Sequence, residues 1–166
     1  MPARTRWLLS YQKLPTGETE STGRFFTDFQ GALRDYNLDD VFTDLVRDQE
    51  GRATATLKGR AQQLDITVGP NYRSLVVYSP NPLNTGRGSQ IPPPNPNAPP
   101  PQAGRGAGPT PAPANPLATP NFICFEPMTG ITNALNLGHR GVYKELQYVA
   151  PGATWQESFW IRPSGF

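Results

Sequence analysis

Cysteine and histidine are almost absent from this 166-residue sequence, with one of each, and the formal net charge is only +2. A lone thiol, Cys124, excludes an internal disulfide and a cysteine-built zinc site, and it leaves the redox compartment open. A lone imidazole, His139, excludes a histidine pair for a metal. Fifteen basic against thirteen acidic side chains make no concentrated positive patch, so nucleic acid is not indicated as a partner. No apolar run exceeds four residues, which excludes a membrane-spanning helix. After the basic start, Trp7-Leu8-Leu9 is too short to be the apolar core of a signal peptide. Whether the protein resides in cytoplasm or periplasm stays open.

Proline and glycine, by contrast, are abundant, at twenty and sixteen residues, well above ordinary usage. Twelve of the prolines lie between Ile91 and Pro120, a stretch with no aromatic residue and Arg105 as its only charge. Such a segment cannot bury enough apolar surface to offset its chain entropy, and its prolines lack backbone donors. Residues 84–120 are therefore expected to form a disordered or polyproline-like insertion. Residues 1–83 and 121–166 would then make up one interrupted folding unit.

Outside the insertion the dominant period is two. Leu64, Ile66 and Val68 alternate with Gln63, Asp65 and Thr67, as a strand with one buried face requires. Strands are also expected over 6–11, 54–58, 73–78 and 122–126. A closing hairpin is expected from Val142–Val149 and Trp155–Ile161 across Pro151-Gly152. The fold class is thus all-β. Two segments resist the pattern. Leu38, Val41, Phe42, Leu45 and Val46 have helical spacing, yet Asp48-Gln49-Glu50-Gly51 reads as a tight turn of a strand hairpin, and both readings stand. Phe25, Phe26, Phe29 and Leu33 suggest a short helix or a packed loop.

Few residues could carry chemistry. The Gly-Arg-Gly pieces at 86–88 and 104–106 lie in low-complexity sequence and do not make a phosphate cradle. His139 reads as a surface loop residue. Cys124, between aromatic and aliphatic neighbours, reads as an inert buried thiol. Glu126 shares a strand face with Phe122 and Cys124, and Pro127 should end that strand. A carboxylate among apolar neighbours binds its proton more tightly, which suits a general base; the bland alternative is a solvent-facing strand end. Asp39 and Asp40 are adjacent, so on a strand at most one can enter a given pocket. In a helix they would simply be favourable first-turn residues.

Taken together, three stretches resemble the aldose 1-epimerases (galactose mutarotases). They are Leu14-Pro15-Thr16-Gly17-Glu18, then Leu38-Asp39-Asp40-Val41-Phe42, then Phe125-Glu126-Pro127-Met128-Thr129 with Asn133-Ala134-Leu135-Asn136. They occur in the family's order, and the tail from Leu146 to Trp155 resembles its closing hairpin. The resemblance covers the chain outside the proline-rich segment. It implies a large antiparallel β-sandwich, makes Val41–Val46 a strand, and implies a small-molecule aldose as substrate with no cofactor. Anomer exchange needs a proton taken from the C1 hydroxyl and one delivered to the ring oxygen, after which the ring opens, rotates and recloses. Glu126 matches the family's general base. Asp39 matches the aspartate that hydrogen-bonds sugar hydroxyls, and Asp40 stands where relatives often have histidine.

The family's catalytic histidines and a sugar-contacting arginine precede the Pro-Thr-Gly motif, and the thirteen residues before Leu14 contain no histidine. The expectation is that this chain corresponds to the C-terminal part of a mutarotase. Alone it should have little activity, being either a monomer or associated with the N-terminal part. A sandwich lacking strands exposes edges and an apolar face. The insertion should emerge near the sugar cleft, as tolerated surface sequence rather than a lid. The rival reading is a non-catalytic carbohydrate-binding β-sandwich in which Trp155 or Trp160 stacks on a sugar. A third, a polyproline ligand for a partner, lacks an arginine-flanked Pro-x-x-Pro.

Overall fold

The computed structural model describes residues 1–28, 30–81 and 122–166. The proline-rich segment at 84–120 and Phe29 lie outside the described residues. Among the described residues eight strands and one short α-helix follow in order. They are β1 (Ala3–Leu9), β2 (Pro15–Ser21), β3 (Leu38–Leu45), β4 (Ala53–Lys58), β5 (Gln63–Val68), β6 (Ser74–Ser79), β7 (Cys124–Met128), α1 (Ala134–His139) and β8 (Phe159–Ser164). All pairings are antiparallel. A five-stranded sheet has the order β2-β1-β3-β6-β7, and a three-stranded sheet the order β4-β5-β8. The all-β expectation holds.

The central strand β3 explains the helical spacing in its sequence. Val41, Phe42 and Thr43 are all buried, because the five-stranded sheet is covered on both faces at this part of β3. On one face Leu38, Phe42, Leu75 and Val77 pack with Ala53, Ala55 and Val68 of the second sheet. On the other, Trp7 and Val41 pack beneath Ile131, Leu137 and Tyr143 of the segment around α1. Asp44 adopts φ 52°, a left-handed conformation that aspartate tolerates. It turns Leu45 back into the first cluster, three residues after Phe42.

Between the two sheets lies a buried ion cluster. Asp40 is fully buried, and Arg6 Nε donates to its Oδ1 at 2.8 Å. Arg6 also pairs with Glu20 of β2, and its guanidinium lies 4.4 Å from the Phe25 ring centroid. Phe25, Phe26 and Tyr36 stack against one another at 4.9 to 5.2 Å. They close this end of the core in a loop with two 3-10 turns, Thr22–Arg24 and Leu33–Asp35.

Two expectations are corrected. The hairpin from Val142–Val149 does not form, and β8 pairs with β5 instead. The alternation in 142–149 serves the helix, since Tyr143 is buried in the second cluster with Leu146 against it. The Val142 and Tyr143 N–H groups both donate to the Leu137 carbonyl, at 2.8 and 3.1 Å. Further along, the Gln147 amide donates to the Asn71 and Thr129 carbonyls. Nor does Pro127 end β7. It sits inside the strand opposite Leu75, and Met128 accepts from Arg73 N–H, so by alternation Pro127 faces the free edge, where no donor is needed.

Gly17 of the Pro-Thr-Gly-Glu stretch has φ 107°, and a Cβ there would meet Val142 at 3.4 Å and Leu137 at 3.6 Å. Gly17→Ala should destabilise the fold by about 1–3 kcal/mol through backbone strain, measured by urea denaturation. Asp40→Ala would take away one of the two carboxylates that neutralise the buried Arg6 guanidinium, leaving Glu20 alone, and should cost about 3 kcal/mol. Burial pushes the Asp40 carboxyl above 3.8, and Arg6 pulls it partly back. The native state then holds a proton that the unfolded chain releases, so this group costs stability as pH rises through the interval above 3.8. The protein should therefore lose stability relative to Asp40→Asn over that interval. A difference moving the other way contradicts the assignment.

Candidate functional site

Register brings Asp39 and Glu126 to one face of the five-stranded sheet. Asp39 lies opposite Tyr78 on β6, and Tyr78 lies opposite Cys124 on β7. In the next row of this face Val41 opposes Val76, and Val76 opposes Glu126. Directly paired residues share a face, as do residues two apart. The two carboxylates thus flank β6, with backbones about 10 Å apart across the strands and about 7 Å along them. Tyr78 stands between the two strands that carry them. Its ring contacts that of Phe122 at 5.8 Å, and both rings are partly open to solvent.

The two acids are held differently. Asp39 is half-buried and paired with Lys13 Nζ at 2.9 Å; Lys13 reaches it from the β1–β2 turn, where it has φ 63°. Glu126 is exposed on the edge strand β7, and its carboxylate has no hydrogen-bond or ion-pair partner among the described residues. Asp40 points to the opposite face and is used up by Arg6. The two adjacent acids are thus separated as a strand requires, one in the core and one on the open face.

The apolar surroundings expected for Glu126 are absent. Phe122, Cys124 and Glu126 do alternate together, but all three are exposed, while Ile123 and Phe125 pack against the core. Cys124 is likewise exposed rather than buried. The reversal follows from β7 closing the edge of a sheet whose other face is the inter-sheet core. His139, at the C-terminal end of α1, is exposed and makes no hydrogen bond or ion pair with either carboxylate. Among the described residues no group of three or more His, Cys, Asp or Glu side chains is placed to hold a metal ion.

Sequence reasoning missed Tyr78 and Lys13. The alternation of β6 could place Tyr78 on one of two faces, but only the register with β3 aligns it with Asp39. Lys13 carried no signal, since its contact depends on a turn conformation. The resulting shelf presents one unpartnered carboxylate, one carboxylate held by a cation, and two aromatic rings. Such a set can accept hydrogen bonds from hydroxyls while packing against C–H groups. No family model matches the chain, and no curated protein matches it.

Cys124 on this shelf should react with a thiol reagent such as DTNB as fully in the folded protein as in denaturant. Protection lifted only by unfolding would contradict its exposure.

Proposed function

We propose that this chain is an aldose 1-epimerase with a sandwich of the galactose mutarotase type, in which Glu126 is the general base and Asp39 binds sugar hydroxyls. The observation that carries the reading is that both acids stand on one open face, on either side of β6. This agrees with the residues that resemble the family's motifs. An aldose seated over Tyr78 would put its anomeric hydroxyl toward Glu126 and other hydroxyls toward Asp39 and Lys13. Glu126 then takes the C1 hydroxyl proton while the ring oxygen receives one, the C1–O5 bond breaks, and rotation about C1–C2 precedes closure to the other anomer. The protons balance over the cycle, and no cofactor is called for.

Within these 166 residues the acid is the weak point. The sole histidine of the sequence, His139, contacts neither carboxylate, whereas the family resemblance places the acid on other histidines. General acid and base groups each contribute about 10²–10⁴-fold, so a base without its acid retains only part of the acceleration.

The chain should therefore exchange the anomers of α-D-galactose and α-D-glucose slowly in a polarimetric assay. Added imidazole should raise its rate above that of Glu126→Gln at equal imidazole. Asp39→Asn should weaken galactose binding by about tenfold, as expected for loss of a charged hydrogen bond, read by saturation-transfer NMR. Equal rates for the native chain and Glu126→Gln, with sugar still bound, would favour a non-catalytic carbohydrate-binding sandwich. Absence of sugar binding at this face would defeat both.

A further inference from the structure

The outer face of the three-stranded sheet holds a concavity of about 430 Å³, within the about 300–1,000 Å³ usual for small-molecule sites. Register builds it. Thr54, Thr67 and Trp160 form one row across β4, β5 and β8, and Thr56, Asp65 and Arg162 form the next. Their strand neighbours Ala53, Ala55, Ile66 and Val68 are buried, so these rows face outward. The turn between β3 and β4 adds a wall. There Asp48 accepts from the Glu50 and Arg52 N–H groups, each at 2.9 Å, which brings Asp48 and Arg52 to the cavity.

Three features separate this place from an ordinary solvated sheet face. Trp160 is 43% exposed and lines a hollow, and Arg52 lies over its ring at 4.6 Å from the centroid. The Trp7 and Trp155 indoles donate to Thr43 and Gln147, at 2.9 and 3.1 Å, whereas the Trp160 N–H has no hydrogen-bond partner among the described residues. The charges are also mixed, with two guanidiniums, Arg52 and Arg162, and two carboxylates, Asp48 and Asp65, in the lining, and a third carboxylate, Glu50, paired with Arg52 at 2.5 Å.

This mixture of charges and hydroxyls around an indole selects the ligand class. An anion would be repelled by three carboxylates at least as strongly as two guanidiniums attract it, one of them already paired with Glu50. An apolar ligand would strip water from the charges and hydroxyls of the lining. A neutral polyol avoids both costs. Its hydroxyls both donate to carboxylates and accept from guanidiniums, often as vicinal pairs, and its C–H face packs against an indole. We infer that this hollow is a binding site for a neutral oligosaccharide, separate from the carboxylate shelf because it lies on the other sheet and shares no residue with it.

The test is an amide and indole NMR titration of the full chain with maltotriose, cellotriose and xylotriose. At least one should shift the Trp160 indole resonance saturably while leaving that of Trp7 in place. Trp160→Ala should weaken the binding by about tenfold or more, a loss typical of removing an aromatic contact. Asp65→Asn, which leaves the ring in place, should weaken it severalfold, and Glu126→Gln should leave it unchanged. The inference is overturned by the absence of a saturable shift with all three probes. It is equally overturned if the midpoint is unaffected by Trp160→Ala and Asp65→Asn, or if binding is lost only in Glu126→Gln. The anomer-exchange assay judges the shelf separately.

Discussion

The buried guanidinium of Arg6 is the constraint on which the arrangement of the five-stranded sheet depends. Arg6 lies directly opposite Glu20 on β2 and diagonally across from Asp40 on β3, two residues from its direct partner Phe42, and it pairs with both acids. One cation therefore ties three adjacent strands. A buried pair of this kind adds little net stability compared with apolar replacements, but it penalises any arrangement that leaves a partner unpaired. Slipping β3 by one residue would carry Asp40 out of reach of Arg6 and turn every side chain of the strand to the other face. Asp39 would then point into the inter-sheet core. The open-face position of Asp39, and with it the candidate sugar site, is a consequence of where its neighbour is buried.

How far the sequence could foretell this differs from element to element. The alternation of Leu64, Ile66 and Val68 foretold β5 because that strand has one buried and one solvated face. β3 is ambiguous because it is buried on both, so its run of Val41, Phe42 and Thr43 shows no alternation and leaves the helical spacing unopposed. The alternation in 142–149 was real but misassigned, since a segment lying on a helix can also bury every second or third residue. Local pattern gives the period and not the partner. The same limit applies to the site. That Asp39 and Asp40 diverge follows from strand geometry alone, whereas which of them meets Arg6, and which face of β7 is solvated, depends on pairings many residues apart. The apolar setting that the sequence suggests for Glu126 is not what the fold gives it, and its candidacy rests on the face it shares with Asp39.

The sheet margins carry a further regularity. Pro127 lies in β7 and Pro163 in β8, the last strands of the two sheets. The N–H of Gly69 donates to the Ser158 carbonyl, so by alternation Trp160 and Arg162 turn their backbone groups toward β5 and Pro163 turns outward. Each of these edges thus places its proline where a further strand would need a donor. The inner side of β8 is less protected. Phe159 and Ile161, aligned with the buried Val68 and Ile66, remain 51% and 60% exposed, because the five-stranded sheet does not reach over them. Apolar surface continuous with the core is left open there, as expected for a sandwich with fewer strands in one layer than in the other.

The cover over the opposite face determines where a ligand could sit. Chain leaving β7 turns within a few residues into Ile131 and α1, which place Leu137 and Tyr143 over Trp7 and Val41, with Trp7 and Tyr143 edge to face at 6.0 Å. That cover occupies the part of the sheet where β1, β3 and β6 present apolar residues and leaves Asp39, Tyr78 and Glu126 open beyond it. Because the covering segment begins at Ile131, four residues after Pro127, Glu126 is fixed at its foot by the same strand that anchors the cover. A group so placed is solvated on one side and bounded on the other by its own chain, so its position depends on the β6–β7 register rather than on a flexible loop. Weakening the cover at Leu137 would therefore disturb the carboxylate shelf through β7, without any contact between the two.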